Sequence, residues 1–314
     1  MFTKKLTDIT KQDRFSAGGK GAFLGEMVLN GIPVPPGFVI LAEAFDEYFE
    51  QSGLTQRCDL ALQKAGDLDI ATIDSVAHNL LELMISGEIP ASLAEEIEQQ
   101  FQELDAELVA VRSSATAEDA ACNAWAGQLE TYLNTDKFLL LENVKRCWAS
   151  LYSPRAICYR IDSKQLCEKI SVAVVVQKMV ASAVSGVAFS VHPVTEDANN
   201  IVIEAGIGLG EAVVSGAITP DNYVVGKEPL KIVEKFISKQ QKAICRLSNG
   251  ETGWQAVPKQ QKNQQKLTDA QIMELSRLVI EIEKQFGFPC DIEWALFNNV
   301  FFVLQCRPIT TLSG

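Results

Sequence analysis

Between Asp291 and Arg307 the chain alternates with a period of two on both sides of an Asn-Asn pair, which is the pattern of an antiparallel hairpin. Asp291, Glu293, Ala295 and Phe297 share one face of the first strand, and Ile292, Trp294 and Leu296 take the other. On the return strand the same period groups Phe301, Val303, Gln305 and Arg307. A three-residue loop at Asn298, Asn299 and Val300, where Asn tolerates left-handed backbone, sets Glu293 opposite Gln305 and Asp291 opposite Arg307. A slip of one residue would divide this polar set between two faces.

Two carboxylates, an amide and a guanidinium on an otherwise apolar hairpin are costly to bury without partners. One solution is a cross-strand salt bridge. Another is a hard divalent cation such as Mg²⁺, held through oxygens and bridging to phosphates that Arg307 would also contact. The hairpin alone leaves both open.

A net charge of -12 excludes a general nucleic-acid binder, because no basic excess exists to neutralise a phosphate backbone, so any phosphate site is local. The eight cysteines form no C-x-x-C pair and no signal peptide precedes them, so they read as buried, reduced thiols of a cytoplasmic protein. Ser171–Val191 is long and apolar, but Gln177, Lys178 and Gly186 interrupt it, and it reads as two buried strands with no membrane span. With only His78 and His192, multi-histidine metal sites are poorly supported.

Along the chain, Gly18-Gly-Lys20-Gly21 feeds a helix predicted from Ala22 to Asn30, and a glycine turn at a helix start offers N–H groups and Lys20 to a phosphate. It is not a Walker A loop, and a plain turn with a solvated lysine is the alternative. Residues 43 to about 108 read as helical, with Glu95, Glu96 and Glu98 as a solvated face. Leu108–Arg112 reads as a strand ending in a hydroxyl-rich turn from Ser113 to Asp119, followed by a loop through Gly127, Gln128 and Thr131. That turn suits a phosphate, or Arg112 pairs with Glu118 or Asp119. Val172–Val176 and Gly186–Val191 read as paired strands, and Gly206-x-Gly-x-Gly-Glu211 follows a third strand without the βαβ frame of a dinucleotide site. Gln240–Lys266 reads as a polar surface loop or ribbon of little chemical content, and Thr268-Asp-Ala-Gln271 opens a helix that ends at Gly287.

Gly19-Lys-Gly21, Gly31-Ile-Pro-Val-Pro-Pro-Gly-Phe38, Val111-Arg-Ser-Ser114, Ala126-Gly-Gln128, Gly208-Leu-Gly-Glu211, Asp291-Ile-Glu293 and Gln305-Cys-Arg-Pro308 occur in one order. In that order and spacing, from about Gly18 to Thr310, the chain resembles the N-terminal nucleotide-binding domain of the phosphoenolpyruvate synthase, pyruvate phosphate dikinase and rifampicin phosphotransferase family. The resemblance implies an α+β, ATP-grasp fold of two lobes with ATP between them, here residues 1–180 and 181–314. By position it implies Lys20 and Arg112 as phosphate-binding cations, with Gly127, Gln128 and Thr131 covering the phosphates. It implies Gln177, Lys178, Met179 and Val180 at the adenine, Glu211 near the ribose, Glu293 and Gln305 as Mg²⁺ ligands, Asp291 beside the metal and Arg307 on the phosphates.

The chemistry so implied is dikinase-type. A histidine on a separate domain attacks the β-phosphate of ATP, AMP leaves, and one phosphoryl group passes to an acceptor. Neither His78 nor His192 lies in such a histidine motif, and the expectation is a chain that needs a histidine domain in cis or in trans to complete transfer. The segment Ala120–Asn123 also lacks a proline that the family pattern carries nearby. An ATP-grasp ligase forming an acyl phosphate and a non-catalytic ATP-binding module are the alternatives. The motif order favours the phosphotransferase.

Overall fold

The structure, a computed structural model, describes residues 1–65, 70–116, 130–163, 169–247 and 250–309. The chain divides into two compact units, Met1–Glu26 with Pro36–Met179, and Met27–Pro35 with Val180–Gly314. In chain order the first unit carries β1 (Thr3–Lys5), most of α1 (Arg14–Leu29), β2 (Gly37–Ile40) and four helices, α2 (Ala42–Gln51), α3 (Leu54–Ala65), α4 (Ile70–Ser86) and α5 (Ala91–Leu104). Then come β3 (Val109–Ala115), β4 (Thr131–Thr135), α6 (Leu140–Ala149), α7 (Pro154–Asp162) and β5 (Val172–Lys178).

The sheet of this unit runs β1-β2-β5-β3-β4 with antiparallel neighbours. One face, with Phe38, Ile40, Val109, Val111, Val174 and Val176, joins a core built with Phe45, Tyr48, Trp148 and Ile157 of the helices. Period two puts Val39, Ala110, Arg112, Ser114, Val175 and Gln177 on the other face. The strand that carries Arg112 does not stop there. Ser113 and Ser114 are buried inside β3, where Ser113 Oγ donates to Cys147 O and Ser114 Oγ to Ala17 O, so the expected hydroxyl turn is strand as far as Ala115. Thr131 likewise begins a strand rather than lying in a loop. Glu96 is not merely solvated, since its carboxylate accepts from Phe2 N, Thr3 N and Thr3 Oγ1 at 2.7 Å and pins the first strand.

The second unit holds β6 (Val184–Phe189), β7 (Asn200–Ile207), α8 (Glu211–Val214), β8 (Asp221–Gly226), β9 (Lys231–Phe236), the ribbon β10 (Lys242–Arg246) with β11 (Thr252–Ala256), α9 (Asp269–Phe286), β12 (Cys290–Phe297) and β13 (Val300–Pro308). Its antiparallel sheet runs β13-β12-β6-β7-β8-β9. β5 and β6 therefore belong to different sheets, contrary to the expected pairing, because β5 is taken on both sides by β2 and β3. Helix α9 starts at a capping box of Thr268 with Gln271 and ends at left-handed Gly287, burying Ile272, Leu275, Val279 and Ile282. It packs on the face bearing Tyr223, as the ion pair from Lys235, which stands opposite Tyr223, to Asp269 shows.

Of the six described cysteines, Cys58, Cys147, Cys290 and Cys306 are buried, Cys158 and Cys245 are half-buried, and none is in a disulfide. No described helix is long and apolar enough to cross a membrane.

Candidate functional site

The hairpin closes more tightly than the sequence suggests. Asn298 and Asn299 both take positive φ, 50° and 60°, and form a two-residue turn in which Phe297 faces Val300. A bulge then places one extra residue, Leu304, between Val303 opposite Trp294 and Gln305 opposite Glu293. The shorter turn and the extra residue cancel, so Glu293 still faces Gln305 and Asp291 still faces Arg307. Beyond the bulge the faces swap. Phe301 and Val303 lie with Leu296 and Trp294, with the Phe301 and Trp294 rings 5.6 Å apart, and not with the polar set.

Cross-strand partners share a face, and one row of the sheet reads Gln305, Glu293, Val187, Glu204 and Asn222. The neighbouring row holds Arg307, Asp291, Phe189 and Val202. Arg307 Nε and Nη2 donate to the same Asp291 oxygen, Oδ2, at 2.8 and 2.7 Å. The salt bridge thus forms, and it takes up Asp291 and Arg307. Glu204 was not singled out from the sequence. Its position in an apolar strand hid it, and only the register puts its carboxyl on the Glu293 face.

Charge on this face is under strain. Burial pushes the Asp291 carboxyl above its usual value, with Arg307 pulling it back. Burial and then the negative charge of Asp291 push Glu204 up as well. A divalent cation held by the facing residues Glu293 and Gln305 would relieve both, and a carboxylate with an amide oxygen is a donor set that fits a hard metal such as Mg²⁺. No cluster of three His, Cys, Asp or Glu that could cage a metal occurs among the described residues, and water and phosphate would complete the shell.

Glu211 starts α8 on the same face. Gly206, which shares the Glu204 side of β7, lies so close to α8 that an added Cβ would stand 2.9 Å from Val213. Gly186 has a similar reason, since its Cβ would meet Glu204 O at 1.9 Å. Val180 follows β5 at the start of this unit.

In the first unit, α1 is one helix broken at Gly18, with φ 67°, rather than a helix beginning at Ala22. An added Cβ at Gly18 would stand 2.3 Å from Ser114 O, so glycine is what lets the turn close on β3. Gly21 N donates to Ser114 Oγ, and Lys20 Nζ donates to Ser113 O at 3.0 Å. Two cationic residues, Lys20 and Arg112, are thereby brought to one stretch of β3. Arg112 stands opposite Thr131 and shares its face with Gln177. Gln177 is 2% exposed, yet its amide Nε2 has no hydrogen-bond partner among the described residues, an orphaned donor of the kind a ligand acceptor satisfies. Lys178 N and Met179 N donate to Pro36 O and Leu108 O. Gly127, Gln128, Glu118, Asp119 and the segment 120–123 lie outside the described residues.

Against known proteins, residues 15–314 match the family described as pyruvate phosphate dikinase, AMP/ATP-binding domain. The chain is 40% identical over 318 residues to a probable phosphoenolpyruvate synthase of Methanocaldococcus jannaschii, covering 99% of this chain and 27% of that protein. It is 41% identical to a probable phosphoenolpyruvate synthase of Archaeoglobus fulgidus, covering 98% and 41%. To a rifampicin phosphotransferase of Bacillus cereus it is 38% identical, covering 99% and 36%. The chain thus spans less than half the length of these curated relatives.

Proposed function

The chain belongs to the pyruvate phosphate dikinase AMP/ATP-binding-domain family, an α+β domain of ATP-grasp type, and from that premise we propose that it holds ATP with Mg²⁺ for dikinase-type transfer. The observation that carries this reading is the register that faces Glu293 with Gln305 beside the Asp291–Arg307 bridge on one charged sheet face.

Each residue has a physical task. Lys20 and Arg112 neutralise phosphate oxygens, Arg112 from a buried strand that limits its freedom and Lys20 as a movable point charge. Arg307, oriented by Asp291, adds a third cation. Main-chain groups from Gln177 to Val180, other than the Lys178 and Met179 N–H groups already spent on Pro36 and Leu108, take the adenine, the Gln177 amide offers its unspent donor nearby, and Thr131 flanks the phosphates opposite Arg112. Glu211 meets the ribose. Glu293 and Gln305 would hold Mg²⁺, which would supply charge neutralisation at the triphosphate.

In the parent proteins, of which phosphoenolpyruvate synthase and rifampicin phosphotransferase are the named kinds, a histidine ring nitrogen on another domain would form the bond to the β-phosphorus. The bond from that phosphorus to the oxygen bridging the α-phosphate would break, and AMP would leave with the electron pair. Catalysis of such a transfer is positioning and electrostatics, which is what these side chains provide. Phosphorus NMR of the chain with Mg·ATP tests the reading. Shifted or broadened β and γ resonances without ADP are expected, with AMP formed once a histidine domain is supplied. Accumulation of ADP would overturn it in favour of an ordinary kinase or ligase.

A further inference from the structure

The polar stretch after Ser238 does more than cover surface. Strand β8 pairs with β7 only as far as Asp221 opposite Ala205, so at Ile207 the β8 side of β7 is left without a neighbouring strand. The side chain of Gln240 fills that position. Its Oε1 accepts from Ile207 N at 2.8 Å, and its Nε2 donates to Ile207 O at 3.0 Å and to Lys242 O at 3.1 Å. A primary amide thus replaces the missing peptide unit of β8. Gln240 is itself fixed, being 2% exposed and donating its backbone N–H to Lys262 O.

The turn that follows is held at successive residues. Gly208, at φ 93°, lies so close to β10 that an added Cβ would stand 2.5 Å from Ile244 O. Ser182 Oγ donates to Gly208 O, and Leu209 N donates to Ile244 O at 2.8 Å. Glu211 comes two residues later, at the first position of α8. We propose that Gln240 is a positioning residue for the nucleotide site, which extends the sheet through Ile207 and so fixes the Gly206–Gly210 turn that aims Glu211 at the ribose hydroxyls. The inference rests on the reading above that Glu211 meets the ribose. Its substrate-level consequence is discrimination for a ribonucleotide.

Calorimetric titrations of the chain with Mg·ATP, Mg·2′-deoxy-ATP and Mg·3′-deoxy-ATP test it. A hydrogen bond to an ionised carboxylate contributes about tenfold in affinity, and the parent chain is expected to prefer ATP over at least one deoxy analogue by about that factor. Gln240→Ala is expected to bring that ratio to within about twofold of unity. Gln240→Glu keeps the acceptor for Ile207 N–H but loses both donors, and is expected to lose discrimination as well. Lys235→Ala breaks the ion pair with Asp269 in the same unit, away from the turn, and is expected to keep it. Hydrogen exchange of the peptide spanning residues 203–211 gives a reading without nucleotide, faster in Gln240→Ala while exchange elsewhere is unchanged. Parent-like discrimination or parent-like exchange in Gln240→Ala would overturn the inference alone. Equal affinity of the parent chain for all three nucleotides would overturn the ribose reading, and the inference with it.

Discussion

Replacing Lys266 by Met should destabilise the second unit strongly. Its ammonium donates to Asp221 Oδ1 at 2.8 Å and to Ser238 O at 2.7 Å, and both side chains are sealed from solvent, with 1% and 0% exposure. Removing one partner of such a pair costs about 3–5 kcal/mol, because the other charge stays buried without compensation. Asp221 keeps donors from Ser238 N, Lys266 N and Tyr223 OH, at 2.9, 2.9 and 2.7 Å, which places Lys266→Met near the lower bound, about 3 kcal/mol. For a unit of this size that is a fall in melting temperature of roughly 6–12 °C. Adding Asp221→Asn to Lys266→Met removes the stranded charge, so the double variant should lose at least about 1 kcal/mol less than the two single losses summed. Urea unfolding of the four proteins measures each quantity. A loss below about 1 kcal/mol for Lys266→Met, or strict additivity, would refute the argument that this pair is a coupled buried charge.

Two further outcomes follow from the candidate site. The folded chain binds a proton at Glu204 more tightly than the unfolded chain does, so ionised Glu204 opposes folding at neutral pH, and the penalty fades as pH falls through its raised value towards the usual 4.5. Glu204→Gln should therefore raise the melting temperature at pH 7–8 and lose that advantage near pH 4, and a variant less stable at neutral pH would contradict this sign. Arg112→Ala should weaken ATP binding by roughly tenfold or more while costing AMP less, as calorimetry would show. Equal losses for both nucleotides would remove Arg112 from the phosphates.

What could be read from the chain followed the range of the forces involved. The facing of Glu293 with Gln305 was legible because alternation and an Asn-Asn turn are local signals. The bulge at Leu304 was not, because a shorter turn and an extra residue leave the same register at Glu293. Helix α9 was legible from its capping box and terminal glycine. Glu204 was hidden because its neighbours on the Glu293 face come from other strands. Gln240 and Lys266 were misread as surface, since their partners Ile207 and Asp221 lie 33 and 45 residues away and composition carries no trace of such contacts. Ser113 and Ser114 were misread as a turn for the same reason. Their hydroxyls are satisfied by Cys147 and Ala17, so a strand can bury them.

If Glu293 and Gln305 hold the cation, ATP binding depends on Mg²⁺. The most direct measurement is the affinity for ATP with Mg²⁺ and with chelator, in the parent chain and in Glu293→Ala, with melting temperature as the check on folding. Tighter binding with Mg²⁺ is expected in the parent, and in Glu293→Ala an affinity reduced to the parent's value in chelator at an unimpaired melting temperature. The same gain from Mg²⁺ in both proteins would contradict that expectation.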